Sequence, residues 1–276
     1  MVRIPPVTEP LPREHGWSRN LPLLTGLQWL KAGWDDFTRN PGPSLAYGCA
    51  IFVASVAIVA GLYQLQTDYI LFPALSGFMI VAPVVALGLY EKSRRLAYGE
   101  PTSLSAMIFV RPRSGGQVIF TGVLLMLLML LWMRAAVILY ALFFGLLPFP
   151  GLHEIVQVLL GTQTGWWLLI VGTLVGGLFA AFSFAISVFS LPMLLNERTD
   201  ALTAMGMSLA LVWNNLPVML VWGMIVLVLT LLSIATALLG LIVAFPVLGH
   251  ATWHAYRTMR QDPVADAAIE VMDGAS

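Results

Sequence analysis

Residues 216–255 contain no Asp, Glu, Lys or Arg. A helix needs only about 20 residues to cross about 30 Å of hydrocarbon. The run is roughly twice that length and fits two passages joined by a tight turn near 233–236. A buried soluble core is excluded by composition. Of the residues, 59% are hydrophobic and 10% charged, where a soluble domain has about a quarter charged. The solvent for this chain is lipid.

Four more apolar passages precede that run, at 44–63, 69–90, 117–147 and 165–195. The expected fold is all-α and polytopic: six transmembrane helices in a membrane domain over 23–258. A disordered cytoplasmic tail is expected at 1–22 and a cytoplasmic tail at 259–276. In the first tail Pro5, Pro6, Pro10 and Pro12 alternate with Arg3, Glu9, Arg13 and Glu14, and no signal-like apolar core follows. Short interfacial helices are expected as well. Residues 25–38 place Leu27, Leu30, Trp34 and Phe37 at helical spacing with Lys31, Asp35 and Asp36 off that stripe. A stretch opened by Thr199 or Asp200 has Leu202, Met205, Leu209 and Val212 on one side, and 101–110 and 155–160 are further candidates.

Two phrases suggest internal repetition. SGFMIVAPVVALGLYEKSR at 76–94 and LLGLIVAFPVLGHATWHAYR at 238–257 align Pro83 with Pro246, Gly77 with Gly240, Tyr90 with Trp253 and Arg94 with Arg257. Pro192 sits at a similar depth in the fourth passage. Breaks at Asn40-Pro41-Gly42, Ser114-Gly115-Gly116 and Asn214-Asn215 each precede a pair of apolar passages. The expected architecture is three repeated units, each a surface helix followed by two spanning helices, in parallel orientation.

The residues GWDDFTRNPGPSLAYG, PVVALGLYEKSRRL and FPVLGHATWHAYR resemble a family of uncharacterised bacterial six-helix inner-membrane proteins, domain of unknown function 2189. The resemblance covers about 25–258, and LGHATWHAYR is its most specific piece. It implies a multi-pass bacterial inner-membrane protein. The family's description includes cytochrome oxidase components. This chain lacks the many intramembrane histidines that haem and copper ligation in an oxidase core require. The expected role is therefore a partner of such a respiratory complex, with no cofactor of its own.

Candidate sites are few. His250 and His254 share a helical face at i and i+4. The spacing suits a metal, but no third ligand accompanies them, and hydrogen bonding to neighbouring helices is the simpler role. Arg134 lies amid apolar sequence, about 17 residues or roughly 25 Å along its helix. It either snorkels to headgroups or pairs with Asp68 or Glu154, the acids expected on that side. Such a pair would pin a loop or leave a cationic spot for an anionic lipid or substrate. Cys49, the single cysteine, reads as a small buried hydrophobe. Met126, Met129, Met133, Met205, Met207, Met219 and Met224 read as apolar filler. Trp166, Trp167, Trp213, Trp222 and Trp253 read as an aromatic belt, and Gly172, Gly176 and Ala180 as a helix-packing face.

No phosphate loop or hydrolase elbow is present, and zero net charge argues against nucleic acid. The reading that remains is a non-enzymatic accessory or assembly subunit of a membrane complex, with the lipid bilayer and other membrane proteins as partners. The alternative is a small-molecule transporter or channel whose proline-broken helices line a cavity. Apart from Arg134, every basic residue lies in the N-terminal segment, in the connectors after the second and fourth passages, or at the C-terminal end. By the positive-inside rule both termini are cytoplasmic. A reporter fused after Arg260 should therefore behave as cytoplasmic and one inserted at Gly151 as periplasmic; the opposite pattern would refute the assignment.

Overall fold

The apolar passages form helices, and several are broken where proline requires it. A computed structural model describes residues 17–65, 67–145 and 149–260; most of both expected tails lies outside them. The elements are α1 (Thr25–Arg39), α2 (Pro41–Gln64), a 3-10 turn (Asp68–Ile70), α3 (Leu71–Val85), α4 (Leu87–Ala97) and α5 (Leu104–Ile108). They continue with α6 (Gly115–Phe144), α7 (Leu152–Gly161), α8 (Gln163–Ser187), α9 (Ser190–Asn196), α10 (Ala201–Asn214), α11 (Leu216–Ala235) and α12 (Leu241–Arg260). The described residues contain no strand.

Five stretches are long and apolar enough to cross a membrane: Pro41–Gln64, Leu71–Ala97, Gly115–Phe144, Gln163–Asn196 and Leu216–Ala235. The sixth passage expected from the sequence, α12, is not among them. Its second half carries His250, His254, Arg257 and Arg260, so its uninterrupted apolar part is short. Most of α12 is buried, and it packs against α1, α2, α4 and α11. It is the inner helix of the bundle. By contrast α2 buries only Ser44 and Gly48.

The helix breaks have local causes. The ring of Pro192 cannot accept a straight helix across the carbonyl four residues earlier, at Val188, and α8 gives way to α9 there. Ser208 of α10 bridges this break: its hydroxyl donates to the Ala185 carbonyl (2.7 Å) and accepts from the Phe189 amide (3.2 Å). The α3–α4 break follows Pro83, and the Tyr47 hydroxyl donates to the Val85 carbonyl at 2.6 Å. Backbone groups in lipid have to find such partners, because water is absent. Pro73 falls in the first turn of α3, where the missing donor costs nothing. Ser103 and Asp200 cap α5 and α10, accepting from Ala106 and Thr203.

The expected apolar stripes of both longer surface helices are divided between a buried and an exposed side. On α1 the buried face is Thr25, Gly26, Trp29, Gly33, Asp36 and Phe37, while Leu27 and Trp34 are exposed. On α10, Met205 and Val212 of the expected stripe are buried with Ala204, Ser208 and Leu211, while Leu202 and Leu209 are exposed. In a membrane the lipid side is as apolar as the core, so small and polar residues mark the protein side. Trp222 and Trp253 are core residues rather than belt residues, whereas Trp166, Trp167 and Trp213 are exposed. Cys49 is exposed on α2, not buried. The shorter helices pack beside the long ones: α5 on α4, α10 on α8 and α9, and α1 on α12.

Close backbone approach holds α12 in place. A Cβ on Gly33 would lie 2.6 Å from the Ala251 nitrogen and the Val247 carbonyl. One on Gly48 would strike the Ile242 carbonyl, and one on Gly249 would come 2.6 Å from the Leu89 side chain. Gly176 faces Trp132 of α6, as expected of a packing face, while Gly172 has open space. Gly77 abuts Met129, and Gly240 abuts Ser233 across the α11–α12 turn. Gly48→Ala should lower stability by about 1–3 kcal/mol, the usual cost of overpacking, and Gly172→Ala by less than about 0.5 kcal/mol. Thermal unfolding in detergent micelles measures both; equal effects would refute the packing argument.

Candidate functional site

The two histidines of α12 stand in a polar cluster inside the basic end of the bundle. His250 is fully buried. Its Nε2 lies 3.0 Å from the Ser44 hydroxyl of α2, and its Nδ1 lies 2.9 Å from the Ser93 hydroxyl and 3.1 Å from the Leu89 carbonyl of α4. Lys92, 0% exposed, donates from Nζ to Ser44 Oγ and to the Asn40 carbonyl, both at 2.7 Å. Ser44 thus accepts from Lys92 and keeps its own proton to donate to Nε2. That assigns His250 the tautomer with its proton on Nδ1, donating toward Leu89 and Ser93.

His254 is one turn further along and part-exposed. Its Nε2 lies 2.8 Å from Asp36 Oδ2 on α1. Burial pushes the Asp36 carboxyl up. Hydrogen bonds from His254 and Ser93, with the nearby imidazoles, more than offset this and hold it below the usual carboxylate range. Both histidines project from α12, so α1, α2, α4 and α12 meet at this cluster. Alongside it, the Trp29 indole donates to Thr258 at 3.1 Å.

Two more carboxylates close the same end. Glu91, 1% exposed, takes two bonds from Arg94 (2.8 and 3.0 Å) and one from Arg95 (2.7 Å). Glu197 accepts from Arg260 (2.6 and 3.0 Å) and from the Tyr256 hydroxyl (2.7 Å), tying the end of α9 to the end of α12. Asn215 receives the Arg19 amide at 2.7 Å and donates to the Trp17 carbonyl at 2.8 Å, strapping the N-terminal segment across α11.

The histidine pair is therefore engaged in hydrogen bonds to neighbouring helices. Both ring nitrogens of His250 already have partners, and the described residues contain no group of three or more His, Cys, Asp or Glu side chains placed to hold a metal. Arg134 is exposed on α6 and Glu154 is exposed on α7. No ion pair joins them, and the side chain of Asp68 lies outside the described residues. Sequence reading missed Asp36, Ser44, Lys92 and Ser93 as companions of the histidines. Asp36 lies off the apolar stripe of α1, and a helix resting on the membrane surface leaves such a charge in solvent. Spacing offered one usable signal: Lys92 follows a long apolar run by only two residues and lies close to its end.

Comparison with known proteins agrees with the resemblance. The model of the family described as "Predicted integral membrane protein (DUF2189)" matches residues 71–196, which run from α3 through α9. The chain is similar to that family over this stretch; LGHATWHAYR lies beyond the matched residues. No curated protein and no solved structure matches.

A carboxyl whose folded pKa lies below its unfolded value adds stability that is complete above the unfolded pKa, about 3.9 for Asp. That contribution disappears as pH falls through the folded value. Asp36→Asn should lower the unfolding midpoint near neutral pH, and the difference from the parent protein should shrink below about pH 4. An offset that stays constant down to about pH 3 would show that the charge of Asp36 contributes nothing.

Proposed function

We propose that this integral membrane protein is a non-enzymatic subunit that docks on other membrane proteins, as an accessory or assembly factor of a membrane complex. The observation that carries the reading is an apolar gap of about 460 Å³ on the side opposite the basic end. It separates the outer half of α2 from α3 and the α11–α12 turn, and Val56, Ala60, Tyr63, Leu75, Ile234 and Leu238 line it. A helix that buries only Ser44 and Gly48, both near its start, leaves a face and a gap of the kind a partner's helix fills. The polar network supports the same reading, since its members bond one another.

The wider assignment belongs with this reading. The basic end is cytoplasmic, and α12 is a sixth span returning both termini to that side of a bacterial inner membrane. The three sets of a surface helix with two long helices are repeats, each surface helix resting on the second helix of the neighbouring unit. The partner class is a respiratory complex such as a terminal oxidase, following the family resemblance. Arg134 lies on an exposed face, where it serves as a cationic contact for an anionic headgroup. The alternative, transport of a small molecule, draws on a cleft among α3, α4, α8, α11 and α12. No Asp, Glu, Lys, Arg or His lines that cleft, and coupled transport ordinarily needs such groups.

The full-length tagged protein, extracted in mild detergent, should co-purify with a stoichiometric membrane protein. A benzophenone placed on Cys49, exposed on α2, should crosslink to it. A clean monomer or homo-oligomer with no crosslinked partner would overturn the proposal.

A further inference from the structure

The cleft among α3, α4, α8, α11 and α12 is a half-open cavity of about 110 Å³. Phe78, Ala180, Phe184 and Leu229 make much of its wall apolar. Its polar groups differ in one respect. The hydroxyls of Thr230, Ser233 and Thr252 each donate at 2.8 Å to a carbonyl of their own helix, on Val226, Leu229 and Leu248. Trp222 and Tyr90 have no such outlet. Trp222 is 0% exposed and its Nε1 has no hydrogen-bond partner. Tyr90 is 2% exposed, and no hydrogen bond engages its hydroxyl among the described residues.

Both donors sit toward the basic end. Trp222 faces Trp29 of α1 edge to face at 5.8 Å, and Tyr90 lies two residues before Lys92. Leu229, Ser233 and Phe78 carry the cleft away toward the opposite end. A buried donor without an acceptor is unfavourable, and native structures rarely leave one unmade. The cleft therefore has a donor-bearing head and an apolar body. Its volume is somewhat below the roughly 150 Å³ of an apolar cavity that takes benzene. About five or six heavy atoms fit inside, and the remainder of a longer molecule leaves through the open side into lipid.

We propose that this cleft binds a membrane-soluble amphiphile through a carbonyl oxygen, which accepts from the Tyr90 hydroxyl beside the Trp222 ring while its apolar chain lies along Phe184 and Leu229. The site is separate from the apolar gap beside α2 and does not depend on the protein-partner reading.

The test is thermal unfolding of the full-length protein in detergent micelles, titrated with 2-dodecanone, methyl decanoate or dodecane. The two carbonyl compounds should raise the midpoint saturably, at concentrations about tenfold lower than dodecane, the factor one hydrogen bond supplies. A response to the ester alone assigns the site to acyl esters, and a response to the ketone alone to free carbonyl compounds; either supports the proposal. Tyr90→Phe keeps the ring and should remove most of the preference for carbonyl over alkane. Ala180→Phe fills the cleft and should abolish every response. Equal responses to dodecane and the carbonyl compounds would overturn the proposal, as would an unchanged preference in Tyr90→Phe. If Ala180→Phe does not fold, the Tyr90→Phe comparison decides alone.

Discussion

The amine of Lys92 has no contact with water, and much of the basic end is arranged around satisfying it. Removing a cation from water costs several kcal/mol unless partners replace the lost solvent. The replacements come from three places in the chain. The Asn40 carbonyl sits at the α1–α2 break, Ser44 lies in the first turns of α2, and Asp36 of α1 supplies opposite charge. Ser44 can serve Lys92 only by passing its proton onward, and His250 of α12 accepts it. One buried amine thus demands that helices distant in sequence meet at a defined register. Apolar contacts, being non-directional, could not impose that register alone.

Lipid explains why polar and small residues hold the centre. Helices in a bilayer gain little from hiding apolar surface from an apolar solvent, so association rests on close packing and interhelical hydrogen bonds. α12 shows both devices on successive turns. Gly249 admits Leu89, the backbone near Val247 and Ala251 receives Gly33, and the Ile242 carbonyl receives Gly48. His250 and His254 then bond the helices so admitted. Packing sets the distance between helix axes, and the hydrogen bonds set rotation about them.

This division also explains what could be read from the sequence. Apolar runs, the cap at Asp200, the break at Asn40-Pro41 and the packing of Gly176 are local signals, and each has a counterpart in the structure. Rotation is not local. Leu27 and Trp34 on α1 point to lipid while Gly33 and Asp36 point to protein, the reverse of a soluble amphipathic helix, where the apolar stripe faces the core. The same inversion hid the site. A carboxylate and a lysine that look solvated became buried partners of two histidines. Trp222 and Trp253 were placed in a belt for the same reason: their position in the chain suits an interface, and only tertiary contact shows that other helices cover them.

The two ends of the molecule are unequal. At the basic end, ion pairs, the histidine network and the N-terminal strap fasten α1, α4, α9, α10 and α12 together. At the other end the contacts are apolar, and α2 leaves a gap beside α3 and the α11–α12 turn. Local opening follows the density of such contacts, so the basic end should act as the rigid base and the outer half of α2 as the part free to lean. A helix anchored at one end can tilt with little loss, because lipid replaces apolar contacts almost without penalty. Under the proposed docking role, the cost of ordering α2 would be met on binding a second membrane protein, while the hydrogen-bonded base keeps its geometry.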